Sequence, residues 1–241
     1  MMEVLQLTPE IEVAHIGPPL EQGHLPAVIY FGLSGQESLA TDPYNQPALY
    51  LAKHPIRVFS FDLPAHGPNL NAIDAIGVWE KQFNEGIDPF TPFIDQVDFA
   101  LKELISRRLI VREKIGLMGL SRGCLIASLF AAKSDAIRAM VGFAPMTQLS
   151  FAKSLNVENH VENLCDLTLR FYIGNRDIRV GTDKCFDLVQ KLSNAAFEKG
   201  IRSPPVEMIV GPSIGHQGHG TSKETFVAGA DWLGRKLGAI R

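Results

Sequence analysis

Gly119-Leu120-Ser121-Arg122-Gly123 stands between two segments of different character. Before it runs Ile115–Gly119, a short apolar stretch of the kind that forms a strand covered on both faces, and after it runs the apolar segment Cys124–Ala132, which reads as a helix. The chain must therefore pass from strand to helix within one or two residues. Such a turn forces the serine into a strained backbone conformation and brings strand and helix so close that the residues two before and two after it must be small. Gly119 and Gly123 meet that need. The serine hydroxyl is then held clear of the sheet at the positive end of a helix, beside the free backbone N–H of Arg122. A serine that merely caps the helix is the plainer alternative.

Working outward, eight short β-rich runs recur: Val4–Leu7, Ile11–His15, Ala27–Phe31, Arg57–Asp62, Ile115–Gly119, Ala139–Phe143, Leu169–Ile173 and Val206–Val210. From the third onward each is nearly continuous in hydrophobicity, which predicts burial on both faces. Ala48–Lys53, Pro92–Arg107, Arg122–Lys133, Asp183–Lys199 and Lys223–Leu237 read as helices between them. Strand, helix, strand in alternation predicts an α/β fold, a mostly parallel sheet with helices on both faces, after an antiparallel start where the first two strands are too close for a crossover helix. The 241 residues are expected to form a single domain. One gap is long: about thirty residues rich in Pro, Asn, Gly and aromatics separate Asp62 from the helix near Pro92. Within it Ile73–Asn84 has Ile73, Ile76, Trp79 and Phe83 at helical spacing, so residues 63–91 read either as a lid or wall of a site or as an amphipathic segment packed on the core.

Composition narrows the function. The chain is 46% hydrophobic and 20% charged, with a net charge of −3 and no run of like charge to follow a phosphate backbone, so nucleic acid is not an expected partner. No stretch approaches the roughly 20 apolar residues of a membrane span, and the amino end lacks a basic segment followed by an apolar one, from which a cytoplasmic protein is expected. Cys124, Cys165 and Cys185 are odd in number and sit in apolar surroundings, which predicts reduced core residues.

With these elements in place the sequence resembles the α/β-hydrolase family, in its dienelactone-hydrolase and prolyl-oligopeptidase-like esterase branch. The likeness runs over nearly the whole chain: strand count, antiparallel start, the Gly-x-Ser-x-Gly turn after the fifth strand, and an acid and a histidine in the family's order. Leu169 to Val180 is similar to the family's seventh strand with its Gly-x-x-Asp-x-x-Val continuation, which implies Asp177 as the triad carboxylate ahead of Asp183 and Asp187. The histidine is expected after the eighth strand, where Gly211 to Ser222 offers His216 and His219. His219 is favoured because it stands just before a capping box of Thr221 with Glu224. The other histidines, His15, His24, His54, His66 and His160, read as structural. Phe31-Gly32-Leu33-Ser34-Gly35 resembles the oxyanion loop after the third strand, with phenylalanine where a histidine is common, and implies the Leu33 and Arg122 N–H groups as donors. Asp62-Leu-Pro-Ala-His66-Gly67 is similar to the loop that shapes the family's site wall.

The resemblance implies a serine hydrolase that cleaves a carboxylic ester through an acyl-enzyme intermediate, with no cofactor and no metal. Peptidase or thioesterase activity on the same triad, or a non-catalytic binding member of the fold, are the alternatives. A phosphate loop of Gly116, Gly119 and Gly123 has the wrong spacing, and His216 with His219 lacks the helical register that aligns two metal-binding imidazoles. Trp79, Phe83, Phe90 and Phe93 in and near the long gap suggest a small acyl substrate, uncharged and with an apolar part. The Arg122 side chain is assigned to a surface or supporting ion pair, ahead of a substrate carboxylate.

Overall fold

Alternating apolar side chains of the recurring runs supply both faces of one eight-stranded sheet in a computed structural model that describes residues 2–67 and 70–241. Its strands are β1 (Glu3–Thr8), β2 (Ile11–Ile16), β3 (Leu25–Phe31), β4 (Arg57–Ser60), β5 (Ile110–Leu120), β6 (Ile137–Phe143), β7 (Thr168–Gly174) and β8 (Val206–Gly211). The helices are α1 (Gly35–Ala40), α2 (Gln46–Leu51), α3 (Ala75–Asn84), α4 (Phe90–Ser106), α5 (Arg122–Lys133), the single turn α6 (Val161–Leu164), α7 (Thr182–Glu198) and α8 (Lys223–Lys236). Strand order is β1-β2-β4-β3-β5-β6-β7-β8. β1 and β2 join antiparallel and β2 meets β4 antiparallel, whereas every pair from β4 to β8 is parallel.

Two cores lie on the two faces. In β3, Ala27, Ile29 and Phe31 point to one and Val28 and Tyr30 to the other, as the two-residue period of a strand requires. The first core is completed by α3, α4, α5 and α7 through Trp79, Phe90, Leu101, Phe130 and Leu188. The second is completed by α2 and α8 through Leu51, Phe226 and Leu233. Each such side chain contributes roughly 1.5–3 kcal/mol by leaving water. Arg57 is fully buried at the start of β4 and pairs with no carboxylate among the described residues. Its guanidinium instead donates to the backbone carbonyls of Pro18, Pro19, Leu20, Gly23 and Leu109, tying the β2–β3 connection to the α4–β5 connection. All three cysteines are free and buried, and none of the described helices is long and apolar enough to cross a membrane.

The expected fold class is the one observed, and the departures have local causes. β5 starts five residues earlier than Ile115, because Arg112, Glu113 and Lys114 interrupt the apolar run while the pairing resumes after a shift from Leu25↔Ile110 to Ala27↔Ile115. β4 ends at Ser60, two residues before Asp62. β8 is not covered on both faces: as an edge strand it leaves Ile209 42% and Val210 52% exposed. Helix α1 was not expected, although Ser34 and Glu37 form the capping box that opens it.

Candidate active site

At the end of β5 the backbone of Ser121 adopts φ 53° and ψ −118°, a conformation that costs an L residue of order 1–3 kcal/mol and persists only if its surroundings hold it. They do so with three backbone hydrogen bonds. Ser121 N–H donates to Phe143 O at 2.8 Å, and the Ser121 carbonyl accepts from Cys124 N–H at 2.9 Å and Met146 N–H at 3.1 Å. A Cβ on Gly119 would overlap the backbone of Cys124, and one on Gly123 would overlap the carbonyl of Phe31. Both glycines are thus used for close approach of strand and helix. Ser121 makes no side-chain cap bond to α5, so its hydroxyl is free for another partner.

That partner is His219. Ser121 Oγ lies 2.8 Å from His219 Nε2, and His219 Nδ1 lies 2.7 Å from Asp177 Oδ2. An ionised carboxylate only accepts, so Nδ1–H donates to Asp177 and Nε2 is left to accept from the serine hydroxyl. The Asp177 side chain is fully buried and the His219 side chain 9% exposed. Burial of the carboxylate is compensated by the turn after β7, where Arg179 N–H and Val180 N–H donate to Asp177 Oδ1 at 3.0 and 3.1 Å. Thr182 Oγ1 completes the loop, accepting from Asp177 N–H and donating to the Gly174 carbonyl.

The histidine loop is fastened to the acid loop. Ile178 N–H donates to the Gln217 carbonyl at 3.1 Å, and Gly218, with φ 73°, lies so close to the Arg176 carbonyl that any side chain would collide with it. This crowding directs His219 inward. His216 is exposed at the start of a short 3-10 turn (His216–Gly218) and is not brought to Ser121. Both ring nitrogens of His219 are engaged, which leaves none for a metal shared with His216. In place of the expected capping box of Thr221 with Glu224, Ser222 caps α8 with a single bond, its hydroxyl accepting from Thr225 N–H at 3.2 Å.

The two expected oxyanion donors differ in state. Arg122 is the first residue of α5, so its N–H has no acceptor within the helix. Leu33 N–H donates to Ser38 Oγ at 2.8 Å, and an oxyanion would have to share or replace that bond. Ser38 was missed in the sequence because α1 was.

The cavity beside Ser121 measures about 300 Å³ and is lined by side chains that include Leu33, Tyr44, Arg122, Arg179, Ile214 and His219. Tyr44 and Arg179 were also missed, Arg179 despite lying two residues beyond Asp177. The Arg122 guanidinium makes no ion pair among the described residues. It donates to the Ala72 carbonyl and lies 3.5 Å from His66 Nε2. Burial, and the Arg122 charge beyond it, hold the His66 imidazole below its usual range. Asp62 Oδ1 accepts from Gly35 N–H at 2.7 Å, linking the loop after β4 to the one after β3. Trp79 and Phe83 are turned to the core instead: Trp79 is fully buried, donates to the Pro64 carbonyl, and packs edge-on against Phe90 at 4.8 Å, with Phe83 5.5 Å from the same ring. No group of three or more His, Cys, Asp or Glu side chains among the described residues is arranged to hold a metal ion.

Strand order, the left-handed serine after β5, and an acid and histidine on the loops after β7 and β8 together define the α/β-hydrolase fold, and this chain has that fold. Solved structures agree. A protein of Thermus thermophilus superposes with a TM-score of 0.70 at 14% identity, covering 98% of each chain. A cold-adapted esterase from an Arctic intertidal metagenomic library superposes with a TM-score of 0.68 at 15% identity, covering all of this chain and 93% of the other. The esterase domain of a Rhodothermus marinus protein gives 0.64 at 10% identity, covering 98% and 97%. No protein-family model and no curated protein sequence matches the chain.

Proposed function

We propose that this protein is a single-domain serine hydrolase that cleaves a carboxylic ester by two-step acyl transfer. The observation that carries the reading is the His219 imidazole, 2.8 Å from Ser121 Oγ and 2.7 Å from the Asp177 carboxylate. Ser121 Oγ attacks the ester carbonyl carbon while its proton passes to His219 Nε2. The C–O bond to the alcohol then breaks, and His219 returns the proton to the departing oxygen. Water, deprotonated by the same nitrogen, attacks the acyl carbon and frees Ser121. Asp177 fixes the imidazole tautomer and stabilises the imidazolium, and Arg122 N–H, with Leu33 N–H once released from Ser38, donates to the developing oxyanion. Such donors are worth about 3–4 kcal/mol each where measured.

The esterase neighbours support an ester as the scissile bond, and the deep placing of Asp177 supports catalysis over passive binding, because a buried carboxylate aimed at an imidazole has little use in a scaffold. The test is covalent labelling with a fluorophosphonate probe together with hydrolysis of p-nitrophenyl esters. Labelling confined to Ser121 and abolished in Ser121→Ala is expected. A wild-type protein that is folded yet neither labelled nor active would overturn the reading in favour of a non-catalytic member of the fold.

A further inference from the structure

The wall of the Ser121 cavity carries an unbalanced charge. Two arginines, Arg122 and Arg179, line it, and among the described residues no aspartate or glutamate does. The carboxylates nearby are otherwise engaged: Asp177 by His219 and two backbone N–H groups, Asp62 by Gly35 N–H, and Glu37 by the Ser34 cap. Neither arginine forms an ion pair among the described residues, and the three residues outside that set, Met1, Pro68 and Asn69, carry no carboxylate side chain.

Arg57 supplies the contrast. It too is a buried arginine with no ion pair among the described residues, but Nε, Nη1 and Nη2 all reach backbone carbonyls, so its donors are used up within the fold. Arg122 is only 8% exposed, yet of its five N–H donors those on Nη1 alone find partners among the described residues, the Ala72 carbonyl and His66. The remaining donors, on Nε and Nη2, are not among the side-chain atoms enclosed without a partner, so they stay open to solvent and available to a ligand in the cavity. Burial and the like charge of Arg179 both push the Arg122 guanidinium below its usual value. An anion between the two arginines would relieve both penalties, and the cavity gives it room. Leu33, Leu120, Ile214 and Phe226 on the same wall suit a short aliphatic chain. The Tyr44 hydroxyl, also on the cavity, makes no hydrogen bond among the described residues and adds a neutral donor.

We propose that Arg122 and Arg179 form a carboxylate-binding subsite beside Ser121, so that the substrate is a small ester bearing a carboxylate on a short aliphatic arm. This replaces the expectation of an uncharged substrate. The loop aromatics that motivated it are packed in the core, whereas the cavity wall is cationic. The assignment of turnover rests on Ser121 as nucleophile. The subsite itself does not, and the experiment separates the two.

Two matched substrate pairs read the subsite kinetically: p-nitrophenyl hemiglutarate against p-nitrophenyl valerate, and 4-(carboxymethyl)phenyl butyrate against 4-ethylphenyl butyrate. In at least one pair kcat/KM should favour the anionic member by about tenfold or more, and Arg179→Gln should remove most of that ratio, chiefly through KM. Arg122→Lys, which keeps the charge but loses the planar fork, should fall between. Binding is measured separately, by calorimetric titration of glutarate into the Ser121→Ala protein at low ionic strength. Arg179→Gln in that background should weaken glutarate at least about tenfold. Arg179 is exposed, so its variant is expected to fold. If glutarate binds Arg-dependently but no ester turns over, the subsite stands and the hydrolase reading fails. If glutarate does not bind, or binds equally well without Arg179, the subsite is overturned whatever the esterase activity.

Discussion

The carbonyl of Phe31 occupies the space that a Cβ on Gly123 would take. One contact thereby joins the start of α5 to the end of β3, and it sets the distance between the Arg122 N–H and the loop carrying Leu33. Gly123→Ala is expected to push these apart. Overpacking of this kind costs about 1–3 kcal/mol, and a displacement near 1 Å costs on the order of a hundredfold in rate. Thermal unfolding and p-nitrophenyl ester kinetics on the same preparation check both. An alanine variant with wild-type melting temperature and turnover would show that the contact is relieved without consequence.

The two histidines of the last loop separate by position. His219→Gln should lower kcat by roughly a thousandfold or more, because the serine loses its proton acceptor. His216→Gln, at an exposed turn, should leave kcat within about twofold. The reverse ranking would move the general base to His216 and demand a loop rearrangement.

Asp177→Asn preserves an oxygen for the Arg179 and Val180 N–H groups but presents an amide to the imidazole. The fold should survive while the imidazole loses its preferred tautomer, with kcat falling by about 10⁴ as in other triads. Circular dichroism and steady-state kinetics distinguish this from unfolding. A loss of less than tenfold would mean that Asp177 is only a turn residue.

Acid sensitivity should arise far from the site, at His15. The ring is 1% exposed, stacks on Phe59 at 5.0 Å, and neither nitrogen has a hydrogen-bond partner among the described residues, with the Glu3 carboxylate 4.0 Å away. Burial, reinforced by the Arg57 charge, lowers its pKa to about 4. The unfolded chain takes up this proton below about pH 6.5 and the folded chain does not until about pH 4, so the contribution to stability is full above pH 6.5 and is lost as pH falls through that window. The loss is on the order of 2–3 kcal/mol. Urea unfolding midpoints at pH 7 and pH 4.5 should converge in His15→Phe; an unchanged gap between them would acquit His15.

Trp79→Ala is expected to act on stability and not on selectivity. It empties a fully buried site and removes the bond to the Pro64 carbonyl, at a cost of about 3–5 kcal/mol. The ranking of p-nitrophenyl ester chain lengths should stay as in the wild type. A changed ranking at unchanged melting temperature would return Trp79 to the wall of the site.

The sequence by itself determined the architecture and the nucleophile candidate. Apolar runs of strand length alternating with helical ones admit few packings, and a serine flanked by Gly119 and Gly123 at a strand-to-helix junction is a local constraint, readable within five residues. The order of acid and histidine along the chain was legible for the same reason, since each follows a strand that could be counted. What the tertiary structure alone decided were relationships between loops far apart in the chain. His219 rather than His216 reaches Ser121 because Gly218 is pressed against the Arg176 carbonyl, a contact across 42 positions that no spacing encodes. Trp79 and Phe83 have the periodicity of a helix face, but periodicity names a buried face without saying whether core or cavity buries it. Likewise the charge of Arg122 was evident, whereas the lack of a carboxylate opposite it is a property of what the fold assembles around one guanidinium: Ala72, His66, Tyr44 and Arg179, brought together from three separate loops.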